Sequence, residues 1–405
     1  MMTNEEIREQ ARRLNAYVID CRRALHRLAE IGGTEVKTSA FLQDQIKKMG
    51  LPYEMAGETG LIATLDTGKP GPHIALRADI DALPVKEEPN NLAGPRVCVS
   101  DDPKTCHACG HDAHMGMLLG AMQALVACRE KLTGVIYFCF EEGEENGRGW
   151  PAMMEAMGKK KIDTCWGIHV YAGLDSGKIC VMPGPRMAGY VMIDMKVIGK
   201  GGHGSRPDMA CNPVFCSAAI LTNVATAWVN QISAGQTVTM GITSIQGGEV
   251  SNVIPESAHI LGSLRFFSRK EGEKAITIFK SVAEHTAAMN KCRVEYASNF
   301  GIVGYPVIND THYAELAGKV LPEVLPEGAV VTSEPWYASD SFAMYCERYP
   351  SVYAHLGINN PKYGSGAAHH NGFFDVDESV MELGLLSTLK YVAAVQQEAS
   401  KKGDF

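Results

Sequence analysis

The sequence predicts an α/β chain, a mixed sheet with helices on both faces, interrupted by an inserted ferredoxin-like α+β domain. Three observations carry this reading. Through the first part of the chain, short apolar runs alternate with amphipathic helical stretches. Near Pro183–Pro185 the texture changes to strand–helix–strand–strand–helix–strand. The tail beyond it has no complete sheet of its own and so completes the first domain. A chain of 405 residues also exceeds one simple core. The expected division is a discontinuous domain over 1–186 and 300–405, with 187–299 inserted.

The elements follow in order. Ile7, Ala11, Leu14, Val18, Cys21, Leu25 and Leu28 recur in steps of four and three, the stripe of an amphipathic helix. A second helix spans about Val36 to Met49 and is stopped by Gly50. "LIATL" and "HIALRADID" read as strands, and "MGMLLGAMQALVACRE" as a helix. "GVIYFCF" is a buried strand, "PAMMEAMG" a helix, and "TCWGIHV" a strand ending at its histidine. In the insert, "YVMIDMKVIG", "TVTMGITSIQGG" and "AHILGSLRFF" read as strands. Helices are expected from about Asn212 to Gln231 and over "GEKAITIFKSVAEHTAAM". The tail supplies helix "THYAELAGKVL", a loop at 338–341, strand "VYAHLGI" and a closing helix from about Glu378.

Composition is that of a globular protein, 45% hydrophobic and 21% charged, and a net charge of -8 argues against nucleic acid as a partner. The N-terminus has no apolar core of a signal peptide, and no stretch reads as the roughly 18 apolar residues of a membrane span. A cytoplasmic location without membrane attachment is the expectation. The 12 cysteines are scattered through apolar runs and read as core residues rather than disulfides.

"TCHACGHDAH" (Thr105–His114) concentrates two cysteines, three histidines and an aspartate in ten residues. A zinc knuckle would need a second Cys/His pair at matching spacing, and the sequence offers none. A redox pair at Cys106/Cys109 would leave the distant acids and histidines without a role. Asp79 and Asp81 end one predicted strand, Glu144 and Glu145 follow another, His169 ends a third, and His369 and His370 sit in a loop. Taken singly, each is more often a satisfied structural residue or a solvated acid. Together, five separated segments deliver ligand-type side chains to the carboxyl ends of strands, where open α/β sheets place their binding crevice. That coincidence favours metal catalysis.

These segments resemble the M20 family of metallopeptidases, specifically its amidohydrolase branch of hippurate hydrolases, N-acyl-amino-acid deacylases and auxin-conjugate hydrolases. "RRALHRLAE", "LRADIDALPVKE", "HACGHDAHMGMLLGA", "EENGRGWPAMMEA", "GIHV", "GKGGHGSRP", "GGEVSNVIPESAHILGSLR" and "HHNGFFDVDE" match its motifs in order over nearly the whole length. The resemblance implies two divalent metal ions per subunit, held by Cys109, His111, Glu145, His169 and His370. It implies Glu144 as general base, with Asp79 and Asp112 orienting the ligands. It implies that the insert is a lid that also mediates homodimerisation. From that lid His203 would polarise the scissile carbonyl, and Asn252 and Arg265 would hold a substrate carboxylate. The mixed ligand set admits Zn, Mn, Co or Ni. The implied reaction is hydrolysis of an N-acyl amino acid or related small-molecule amide by metal-activated water. The alternatives are a dipeptidase or carboxypeptidase on the same site, and a non-catalytic binding protein. The chain departs from the family pattern at Leu28-Ala29, at Glu141, Glu142 and Gly143, at Trp150-Pro151, and at Asp340 and Ser341.

Overall fold

The computed structural model describes residues 1–402. They fall into two compact units. The first comprises Met1–Gly184, Ile308–Glu334 and the chain from Met344 onward; the second comprises Pro185–Val307 and Pro335–Ala343. The 335–343 stretch, assigned to the first domain from sequence, clusters with the second unit. The cause is local hydrogen bonding: Ala188 N–H donates to the Trp336 and Ala338 carbonyls, and Trp336 N–H to that of Arg186.

In the first unit, helix Asn4–Leu28 opens on a capping box in which Thr3 and Glu6 satisfy each other's backbone N–H. Its stripe of Ile7, Ala11, Leu14, Val18, Cys21 and Leu25 is buried. The sheet has seven strands, in the order Tyr53–Met55, Leu61–Asp66, Val135–Glu141, His73–Asp79, Thr164–Asp175, Ser351–Asn359 and Ile179–Cys180. Its central four strands are parallel, which aligns their carboxyl ends. Pairing of His73–Asp79 with Thr164–Asp175 ends at Arg77 opposite Gly167. Beyond that point the strands no longer pair, and each carries a site residue two positions further on, Asp79 and His169. The third strand does not end at its histidine as expected: it runs on to Asp175, because Ser351–Asn359 continues to pair with it.

Helix His111–Ala127 is buried on nearly every side, packed against Asn4–Leu28 and Met381–Lys402 as well as the sheet. Its cap Gly110 has φ +94°, and a Cβ there would meet Val170 Cγ2 at 2.2 Å. Only glycine lets the chain turn into this helix so close to the Thr164–Asp175 strand.

The second unit is built strand–helix–strand–strand–helix–strand. Its sheet order is Val238–Gln246, Ser257–Phe266, Gly189–Ile198 and Arg293–Tyr296, with every neighbouring pair antiparallel. Val191, Ile193, Met195 and Val197 alternate onto the face that packs on Cys216, Ile220 and Val224 of helix Pro213–Gln231 and on Ala275, Phe279 and Ala283 of helix Arg269–Met289. Contrary to the sequence expectation, Pro213–Gln231 is long and apolar enough to cross a membrane. Small residues such as Ala218, Ala219 and Ala225 raise its hydropathy without lengthening any one apolar run. One face of it, from Pro213 through Cys216, Ile220 and Val224 to Ala227, is buried on the sheet.

Candidate metal centre

Three turns and one strand of the first unit bring potential ligands together. Gly110 delivers Cys109 and His111 on either side of a helix start. The loop after Val135–Glu141 carries Glu144 and Glu145, and Thr164–Asp175 carries His169. The loop after Ser351–Asn359 carries His370 at φ +62°, a left-handed conformation that is costly for a residue with a Cβ. His370 N–H donates to the Ala108 carbonyl at 2.9 Å, which fastens this loop to the Cys109 segment.

The ligand atoms of Cys109, His111 and His169 lie within 4.8 Å of one another, as do those of Cys109, Glu145 and His370, and those of His111, Glu144 and Glu145. Cys109 Sγ is 3.6 Å from His169 Nε2, and Glu145 Oε1 is 3.3 Å from His370 Nε2. His111 Nε2 and Glu145 Oε1 face each other at 3.8 Å, buried and with no hydrogen-bond partner. Two orphaned polar atoms that point at one space fit a shared cation better than any protein contact.

The surrounding hydrogen bonds fix the tautomers. His111 Nδ1–H donates to Asp81 at 3.1 Å, which aims Nε2 into the cluster. His169 Nδ1–H donates to the Val170 carbonyl at 2.6 Å, which turns its Nε2 lone pair towards Cys109. This carboxylate- or carbonyl-backed imidazole is the usual support of a metal-binding histidine. Burial and the neighbouring rings of His114 and His369 push His169 well down, so it stays neutral. Burial opposes a charged His111, yet Asp79 and Asp81 lift it well above its ordinary range. Burial pushes the Cys109 thiol up. The cluster thus has acids and lone pairs arranged for positive charge, and the donor set suits a divalent transition ion.

The structure separates the two aspartates expected to orient ligands. Asp79 lies 3.6 Å from His111 Nε2 and accepts from His114 Nδ1 at 2.6 Å and from Arg77 at 2.7 Å. Asp112 is a correction: its hydrogen bonds run to Arg22 Nε at 2.7 Å and His26 Nδ1 at 2.8 Å, not to a ligand. The reason is helical geometry, since the residue after His111 is rotated about 100° around the axis from it. The residue that holds His111 is Asp81, which also accepts from Glu145 N–H at 3.0 Å. Sequence reasoning saw Asp81 at a strand end and gave it no part. It also passed over His114, whose Nδ1 meets Asp79 and whose Nε2 accepts from Val170 N–H at 2.9 Å. The i, i+3 spacing from His111 was the available signal.

Two departures from the family pattern prove to be scaffold. Glu141 accepts from Arg77 at 3.2 Å and from Tyr345 at 2.7 Å. Glu142 accepts from the Glu58, Thr59 and Gly60 N–H groups and from the Thr59 hydroxyl. Cys106 is buried, and all 12 cysteines are free thiols.

In the second unit, His203 and Val253 pair across a short two-stranded ribbon, which places Asn252 beside His203. Both are exposed. His203 Nδ1 accepts from the Ser205 N–H at 3.1 Å, so the ring's proton sits on Nε2. Arg265 lies 4.2 Å above the Tyr190 ring and donates to Ser339 at 3.3 Å. Among the described residues no carboxylate pairs with it, and no hydrogen bond joins it to His203 or Asn252.

Comparison with known proteins places the chain in a family. Residues 75–398 match the model of peptidase family M20/M25/M40. Thermostable carboxypeptidase 2 of Saccharolobus solfataricus is 30% identical over 390 residues, covering 95% of this chain and 96% of that protein. The N-acyl-L-amino acid amidohydrolase of Geobacillus stearothermophilus is 32% identical over 315 residues, covering 76% and 82%. The crystal structure of Bacillus subtilis YXEP, a dinuclear metal-binding peptidase of the M20 family, superposes with a TM-score of 0.81 at 25% identity, covering 95% of this chain and 99% of that one. The chain belongs to peptidase family M20/M25/M40, as a metal-dependent hydrolase of amide bonds.

Proposed function

We propose that this protein hydrolyses the amide bond of an N-acyl amino acid or a related small conjugate, using two divalent metal ions. The observation that carries this is the convergence of Cys109, His111, Glu145, His169 and His370 with Glu144 beside them. When bound, the ions supply Lewis acidity and a water of lowered pKa. Glu144, adjacent to Glu145 and within the same group of side chains, would take the proton from the attacking water and return it to the leaving nitrogen. We assign the scissile carbonyl to His203, whose Nε2–H is a donor set up by Ser205, for support of the oxyanion. Arg265 and Asn252 take the substrate carboxylate. A half-buried guanidinium stacked on Tyr190, with no paired carboxylate among the described residues, is suited to a bidentate anion.

A carboxypeptidase reading stands second, favoured by the match to the Saccharolobus solfataricus enzyme. Both reactions release an amine next to a free carboxylate. A panel of N-acyl amino acids against dipeptides and longer peptides separates them by kcat/KM. We assign homodimerisation to the second unit, where Phe215 and Val229 on helix Pro213–Gln231 are 74% and 86% exposed. Glu144→Gln tests the mechanism. Turnover should fall about 10²- to 10⁴-fold with both metal ions retained; near-normal turnover removes Glu144 as the base.

A further inference from the structure

His369 is disqualified as a ligand by its hydrogen bonds, as His114 is by its own. Its Nε2 accepts from the Ala172 N–H at 3.1 Å, so that nitrogen carries no proton and the ring is neutral. The proton therefore sits on Nδ1, which faces both the Cys109 backbone carbonyl and, at 3.8 Å, Cys109 Sγ, so that its N–H is shared between them. His169, 5.5 Å away centroid to centroid, has the opposite tautomer, with Nδ1–H spent on Val170 and a lone pair towards the same sulfur. One histidine offers Cys109 a lone pair, the other an N–H. The ring of His369 is held at this angle by Phe374, with centroids 4.8 Å apart, and by Tyr171, stacked at 6.2 Å.

We propose that His369 is a positioning residue that donates an Nδ1–H···S hydrogen bond to the Cys109 thiolate and so tunes the ion that Cys109 binds. A hydrogen bond to a thiolate withdraws charge from sulfur, weakens its donation and leaves the ion a stronger Lewis acid. The Ala172 N–H selects the tautomer, and a backbone donor cannot be lost by side-chain motion. The proposal rests on the assignment of Cys109 as a ligand made above.

Cobalt(II) reports on this bond, because a thiolate–cobalt charge-transfer band follows the electron richness of the sulfur. The probe is the full chain loaded with cobalt. His369→Phe keeps a ring and removes the donor; His369→Gln keeps an N–H within reach. The band should move to longer wavelength in the Phe variant and stay near wild type in the Gln variant, with two cobalt ions per chain in both. Turnover should fall about tenfold in the Phe variant and recover in Gln. An unmoved band in the Phe variant, or equal shifts in both, overturns the hydrogen bond. Loss of one cobalt ion overturns it too, since His369 would then be a ligand. A wild-type cobalt form with no thiolate band is a different failure and removes Cys109 from the ligand set.

Discussion

The candidate residues of the two units differ in how they are held. In the first unit each histidine is buried or fastened by its backbone, and each has a second residue behind it: Asp81 behind His111, the Val170 carbonyl behind His169, and the Ala108 carbonyl behind the His370 backbone. In the second unit His203 and Asn252 are exposed, and among the described residues His203 is backed by Ser205, two residues along. A metal ion rewards preorganisation, because its ligands must sit within a few tenths of an ångström before it arrives. A group that acts on a substrate carbonyl can be brought into register by the substrate itself. On the proposed reading, the contrast is what a metal site in the first unit and substrate-binding residues in the second would require.

His203→Ala gives the sharpest break. Loss of one oxyanion donor should lower kcat about 10²- to 10³-fold, while metal content measured by emission spectrometry stays at wild type. Metal loss in this variant would end the separation of roles.

Asp81→Asn probes the other side. The amide of Asn can accept from His111 Nδ1–H but carries no charge, and the Glu145 N–H loses a carboxylate partner. Metal affinity, followed by chelator competition, should fall roughly 10- to 100-fold. Asp112→Asn should leave that affinity within a few-fold and instead lower stability, since Arg22 and His26 would lose a buried partner. Equal effects on affinity would restore Asp112 as a ligand-orienting group.

Glu142→Gln tests whether the acids preceding the functional pair are scaffold. Burial raises the Glu142 pKa, but the Thr59 and Gly60 N–H groups outweigh it and hold the carboxyl below 4.5. A carboxyl depressed in the folded state stabilises above its unfolded value and loses that contribution as pH falls through its folded value. The wild type should therefore lose stability on acidification below about 4.5, and Glu142→Gln should flatten that limb of the melting profile. At neutral pH the variant should be less stable by about 1–3 kcal/mol, with kcat little changed.

The history of the site explains what a sequence can disclose. Helix stripes and parallel strands were legible because burial imposes periodicity, as along Ile7 to Leu25. The convergence was legible because five segments place ligand-type side chains near strand ends, and the choice of Cys109, His111, Glu145, His169 and His370 among them came from the family resemblance. The supporting shell was not. Whether Asp81 or Asp112 holds His111 depends on a rotation of one helical residue, and the tautomers of His169 and His369 depend on which backbone group lies alongside. The 335–343 segment went to the wrong unit because its attachment is a few backbone hydrogen bonds, which leave no side-chain pattern.

The smallest expected effect falls on Cys106, three residues from Cys109. Its backbone bridges to Leu83 in both directions, at 3.0 and 3.1 Å, and its side chain is 3% exposed. Burial pushes its thiol up to about 12, so it is neither a thiolate nucleophile nor a ready redox partner. Among the described residues it joins none of the groups able to hold an ion. Cys106→Ala should keep metal content and kcat within about twofold and cost about 1 kcal/mol of stability through lost packing. Cys109→Ser, in the same turn of chain, should abolish the thiolate–cobalt band and most activity. If the two substitutions instead proved equally damaging to activity, the pair would be acting as a unit and the metal assignment of Cys109 alone would be wrong.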